Sequence, residues 1–118
     1  MSAVVCLLVK SGPLQGHKYF VKSDVPILIG RSEEANIRIG YDDFCSRRHA
    51  EVFWQNKQCF IKDLNSTNGT FVNSIKIKDP QALANHDLIN LGSTDLMVVI
   101  TETDNKKERR EDDASYDE

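Results

Sequence analysis

The chain has 118 residues, 40% of them hydrophobic and 28% charged, enough for one domain that buries its own core without a disulfide or metal staple. Its formal charge is −3, and residues 1–103 are balanced at 11 basic and 11 acidic side chains while 104–118 carry 4 and 7, so the acidic excess belongs to the last segment. A balanced body without a basic stripe speaks against direct nucleic-acid binding.

The first apolar run, Val4 to Val9, has no basic region before it and ends at Lys10, too soon to span a bilayer, so neither a signal peptide nor a membrane segment is expected. Ser11-Gly12-Pro13 and Gly16 then mark a turn that leads into a second strand over His17 to Lys22. Pro26 to Gly30 is a third short apolar run. Asn36 to Gly40 is a fourth, with Ile37 and Ile39 on one face and Arg38 on the other. The intervals Arg31 to Ala35 and Gly40 to Cys45 read as polar loops. Ala50 to Gln55 and Gln58 to Leu64, separated by Asn56-Lys57, form a hairpin in which Ala50, Val52 and Trp54 share the face expected to be core. Thr70 to Asn73 and Ile75 to Lys78 follow as short strands until Asp79-Pro80 breaks the run. Asp87 to Gly92 and Asp95 to Thr103 close the series around Gly92-Ser93-Thr94.

Short strands at regular spacing, with no sustained helical period, predict an all-β sandwich or barrel whose loops gather at the ends of the sheets. The domain is expected over 1–103. Residues 104–118, with no aliphatic side chain larger than Ala114, lack the apolar area to offset ordering and are expected to form a charged, disordered tail. Cys6, Cys45 and Cys59 are odd in number and widely spaced, which favours reduced thiols in a cytosolic compartment over a disulfide framework. Two of them sit in apolar runs; Cys45, beside Ser46, reads as a small loop residue.

The outer ends of an antiparallel hairpin meet, so Ser46-Arg47-Arg48-His49 before the first strand and Ser66-Thr67-Asn68-Gly69 after the second are expected to share one surface. A hydroxyl, a guanidinium and the polar groups of Thr67 and Asn68 gathered there would suit an anion. With Gly30-Arg31 added, the order and intervals of Gly30-Arg31, Ser46-x-x-His49 and Ser66-Thr67-Asn68-Gly69-Thr70 resemble the forkhead-associated (FHA) domain family over roughly Val25 to Ile100. That family captures phosphorylated motifs with arginine clusters.

The resemblance implies an FHA-like antiparallel β-sandwich that recognises phosphothreonine on a protein or peptide phosphorylated by a Ser/Thr kinase. It implies Arg31, Ser46, Arg47 and Thr67 as phosphate contacts, Asn68 on the peptide backbone, and Gly30, His49, Gly69 and Asn73 as architectural support. Chemistry agrees with the first set: a phosphothreonine carries ~−1.5 to −2 charge and three acceptor oxygens, and a planar guanidinium can donate two parallel hydrogen bonds to them. Arg48 falls at the variable position of Ser-x-x-His. The resemblance also implies a preference for phosphothreonine over phosphoserine, through a small pocket for the extra methyl.

This chain departs from the family at Ser74 and at His86, where glycine is frequent. No cofactor or metal is expected, because His17, His49 and His86 are scattered and no Cys-x-x-Cys or His-x-x-x-His spacing exists. Ser46, His49 and Asp63 form a nominal hydrolytic set without a nucleophile elbow, so an enzyme is not expected. The competing expectation is a phosphate-independent protein-interaction or dimerisation module of the same fold, presenting an apolar patch from Phe44, Phe53 and Trp54. The expected location is intracellular, cytoplasmic or, in a eukaryote, nuclear.

Overall fold

The computed structural model of the chain describes residues 2–22 and 24–103, so the tail expected over 104–118 lies outside the described residues. Alternating side chains build two sheets. One holds β1 (Ser2–Val9), β2 (Lys18–Val21), β7 (Thr70–Val72), β8 (Ile75–Lys76), β10 (Leu88–Leu91) and β11 (Thr94–Thr103), in the order β2-β1-β11-β10-β7-β8. The other holds β3 (Ile27–Gly30), β4 (Ile37–Arg38), β5 (Ala50–Gln55), β6 (Gln58–Asp63) and β9 (Gln81–Ala82), in the order β4-β3-β5-β6-β9. Among the described residues there is no helix, and hence none long and apolar enough to cross a membrane.

The period of two decides what lies between the sheets. Val5, Leu7 and Val9 of β1, Ile89 and Leu91 of β10, and Leu96 and Val98 of β11 meet Ile29 of β3, Ala50 and Val52 of β5, and Ile61 of β6, all at most 1% exposed. Each fully buried Leu or Ile contributes about 1.5–3 kcal/mol by leaving water. Trp54 shares the inner face as its alternation requires, packing partly buried against this cluster while its indole N–H donates to Val21 O at 3.1 Å.

Two tight turns fix the register of the hairpins. Asn56-Lys57 has φ of 52° and 64°, and Asn73-Ser74 has 51° and 70°, the positive pair that lets two residues join strands of right-handed twist. His86 also sits at φ 72°. The two non-glycine departures thus occupy backbone conformations that glycine adopts without strain, and the fold tolerates them on turns. Most strands run slightly shorter than their apolar runs, and β9 emerges just after Asp79-Pro80, paired with Phe60 and Ile61 of β6. Thr94, expected in the turn, instead opens β11 opposite Leu91.

One pairing departs from the antiparallel pattern. β4 lies parallel to β3, with Gly30 opposite Arg38, and Ile39 N donates to Gly30 O at 2.8 Å. The loop between them therefore folds back on itself, which brings Arg38 beside the end of β3.

Candidate functional site

The site begins where β3 stops. Arg31 N donates to Ser46 O at 3.0 Å and Ser32 N to Arg47 O at 3.1 Å, laying the segment before β5 across the segment after β3. A Cβ on Gly30 would stand 2.0 Å from Arg47 O, so only glycine admits this crossing. Arg31 is half-buried, and its Nε donates to Cys45 O at 2.6 Å, which orients the guanidinium from behind. The ion pair found among the described residues joins Lys62 to Glu51 at 3.5 Å, away from these loops; neither Arg31 nor Arg47 has a carboxylate partner there.

Ser46 and the loop after β6 meet as the hairpin topology requires. Thr67 N donates to Ser46 Oγ at 3.0 Å across 21 residues of sequence, and Asn68 Nδ2 donates to Phe44 O at 2.9 Å. Beneath them His49, at 0% exposure, ties both loops together. Its Nδ1 accepts from Ser46 N at 3.0 Å, so that nitrogen is unprotonated and Nε2 carries the proton it donates to Gly69 O at 2.8 Å. Gly69 itself sits at φ 90°, where a Cβ would approach Lys76 Cε at 2.7 Å.

The loop over residues 64–69 is fixed from the strand side by Asp63, whose carboxylate accepts from Ser66 N at 3.0 Å, from Ser66 Oγ, and from Thr70 Oγ1 at 2.7 Å. Ser66 Oγ in turn accepts from Gly69 N at 3.0 Å. Burial pushes the Asp63 carboxyl up, but the hydrogen bonds from Ser66 and Thr70 outweigh it and hold the group below its ordinary 3.8. A depressed folded value means that Asp63 stabilises the fold fully above the unfolded value and loses that contribution as pH falls through the folded one. Asp63→Asn is therefore expected to flatten the acid limb of thermal stability below about pH 4, with little change in that slope near neutrality. Thermal melts of both proteins across that range check it; parallel acid limbs would place the titration elsewhere.

Asp42, which sequence reasoning passed over, supports the neighbouring loop. At 3% exposure it accepts from Phe44 N at 3.0 Å, Ser93 N at 2.7 Å and Thr94 Oγ1 at 2.7 Å. The local signal was an Asp two residues before Phe44, the spacing of an Asx turn; the 52-residue reach to Thr94 had none. Phe44, both of whose backbone groups are thus held, is 62% exposed. It does not join Phe53 and Trp54 in a single patch: Phe53 stacks on Phe60 at 5.8 Å on the opposite side of β5 from Trp54.

The remaining sequence-predicted residues sort by position. Arg31, Ser46, Arg47, Thr67 and Asn68 come to one end of the sandwich, with Gly30, His49 and Gly69 beneath. Asn73 lies at the β7–β8 turn, where Nδ2 donates to Asp87 Oδ1 at 2.9 Å and Oδ1 accepts from Leu88 N at 2.9 Å. It braces the start of β10. All three thiols are buried, and burial followed by the Asp42 charge pushes Cys45 up to about 12 despite Arg31, so Cys45 is a packed loop residue.

Ser46 Oγ accepts from a backbone amide and His49 uses both ring nitrogens on backbone groups, so the nominal hydrolytic set forms no nucleophile–base pair. Among the described residues no cluster of His, Cys, Asp or Glu is suited to a metal. What the arrangement offers is a floor of backbone bonds carrying guanidiniums that have no carboxylate partner among the described residues, beside a hydroxyl, groups that suit a phosphate ester.

Comparison with known proteins places the domain in a family. The FHA domain family model matches residues 27–92. The FHA domain-containing protein FhaA of Mycobacterium tuberculosis is 42% identical over 71 residues, 60% of this chain and 13% of that protein. The first curated relatives are matched over only 13% to 44% of their own length. A structure described as an analysis of phosphothreonine-dependent FHA domain interactions superposes with a TM-score of 0.76 at 34% identity, covering 85% of this chain and 99% of that one. The FhaA FHA domain, solved in complex with the intracellular domain of Rv3910, gives 0.71 at 36% identity over 80% of this chain and 98% of its own. The matched span runs from β3 into the turn after β10 and contains every loop of the site: this chain belongs to the FHA domain family.

Proposed function

We propose that the chain is a phosphothreonine-dependent recognition module that docks a Thr-phosphorylated protein within intracellular Ser/Thr kinase signalling. The observation that carries this is Arg31: a guanidinium oriented from behind by Cys45 O, without a carboxylate partner among the described residues, beside a loop crossing in which Ser46 Oγ and Thr67 N are already joined. Arg31 and Arg47 supply the charge, Ser46 and Thr67 the shorter-range contacts, and Asn68 holds the peptide main chain. Arginine clusters of this kind are how FHA domains read phosphorylated motifs. The relative with phosphothreonine-dependent interactions supports the same reading.

The test is a titration against matched libraries of phosphothreonine, phosphoserine and unphosphorylated peptides. Binding is expected in the first, weaker binding in the second by the ~1–3 kcal/mol that one methyl in a pocket contributes, and none in the third. Equal binding to all three would favour a phosphate-independent surface, for which the 62% exposed Phe44 is one anchor beside the binding loops.

A further inference from the structure

The phosphate residues do not account for all the cationic surface at this end of the molecule. A cleft of ≈ 550 Å³ opens beside them, within the ~300–1,000 Å³ of small-ligand sites. Its walls are Arg31, Ser32, Arg38, Gly40 and Arg47, and Glu33 and Glu34 also line it. Ser46, Thr67 and Asn68 do not. The cleft therefore shares Arg31 and Arg47 with the phosphate contacts and extends away from the hydroxyl and amides that complete them.

Arg38 is the new element. The parallel β3–β4 pairing sets it opposite Gly30, its Nε donates to Arg31 O at 3.5 Å, and its guanidinium lies over Gly40, where an added Cβ would be 3.6 Å from Nε and 3.8 Å from Nη2. It is exposed, and no carboxylate lies within ion-pair distance of it among the described residues, although Glu33 and Glu34 line the same cleft. Three arginines and two glutamates line the one cleft, which leaves it a net positive charge that an anion would neutralise.

We propose that Arg38, with Ser32 and Gly40, forms a second anion subsite that takes a carboxylate side chain or a second phosphate borne on the same peptide as the phosphothreonine. This rests on the reading of Arg31 and Ser46 as the phosphothreonine site and adds a preference to it. Guanidinium to carboxylate or phosphate is the strong, two-pronged form of the contact. Glu33 and Glu34 limit its strength, because an anion must settle nearer Arg38 than either of them.

The experiment compares wild type with Arg38→Ala in fluorescence anisotropy. The probes are a phosphothreonine peptide with neutral flanks and derivatives carrying one Asp, Glu or phosphoserine at successive flanking positions. The wild type is expected to gain about fivefold at one or two positions, the upper end for a solvent-accessible ion pair, and the gain should shrink with added salt. Arg38→Ala should lose that gain while binding the neutral-flank peptide within about twofold of wild type, since the primary contacts remain. A gain with phosphoserine alone identifies a second phosphate as the occupant, and a gain with Asp or Glu an acidic residue.

Equal loss by Arg38→Ala on every peptide would overturn the proposal, because Arg38 would then serve the primary phosphate; so would a wild type indifferent to flanking charge. An unphosphorylated peptide that binds as well as the neutral phosphothreonine one would instead remove the underlying reading. Melting temperatures of both proteins guard against a folding defect.

Discussion

Arg31→Ala is expected to abolish measurable phosphopeptide binding while leaving the fold in place. Removing one partner of a desolvated charge pair costs ~2–5 kcal/mol, a loss of about 30-fold to several thousand-fold in affinity. The fold loses much less, because Arg31 is half-buried and its internal contribution is the single bond from Nε to Cys45 O, worth ~1 kcal/mol. The crossing of the loops rests on the backbone bonds from Arg31 N and Ser32 N, which any side chain preserves. Arg31→Lys separates charge from geometry: lysine keeps the charge but can neither donate two parallel bonds to phosphate nor reproduce the planar guanidinium held at Cys45 O. It is expected to fall between wild type and alanine. Isothermal titration with a phosphothreonine peptide, paired with a thermal melt, checks both variants. Unchanged affinity in Arg31→Ala would take Arg31 out of the site.

Much of this site was legible in the sequence because hairpin topology is local. Asn56-Lys57 between two apolar runs fixes β5 against β6, and that pairing brings the segments that carry Ser46 and Thr67 to the same end of the sandwich. The role of Gly30 was legible as a residue type but not as a distance; the approach of Arg47 O depends on a crossing between residues seventeen positions apart. Arg38 read as the outward residue of a strand, which it is, yet its value comes from a parallel two-residue pairing that no periodicity encodes. Asp42 was hidden because its partners Ser93 and Thr94 lie at the turn into β11, far along the chain. Alternation tells which side of a strand faces inward. It does not tell which loop will arrive there.

His49→Ala is expected to lower stability and binding together, through a different route from Arg31. The imidazole is fully buried and satisfies one donor and one acceptor of the backbone, Ser46 N and Gly69 O. Each backbone group left buried without a partner costs ~1–3 kcal/mol, and the space vacated by the ring adds to that, so a total of about 3–5 kcal/mol is expected. Those two groups belong to the loops that carry Ser46 on one side and Thr67 and Asn68 on the other. Without the bridge, the bonds from Thr67 N to Ser46 Oγ and from Asn68 Nδ2 to Phe44 O must hold the loops together at the surface, where water competes for them. The phosphate would then have to order its own receptor, and affinity should fall even at temperatures where the variant is fully folded. Denaturant unfolding gives the first quantity and peptide titration at low temperature the second. A variant as stable as wild type that has lost binding would make His49 a direct contact, which its 0% exposure does not allow for without loop movement. A destabilised variant with undiminished affinity would show that Ser46 and Thr67 hold their places without it, and that the brace serves the fold alone.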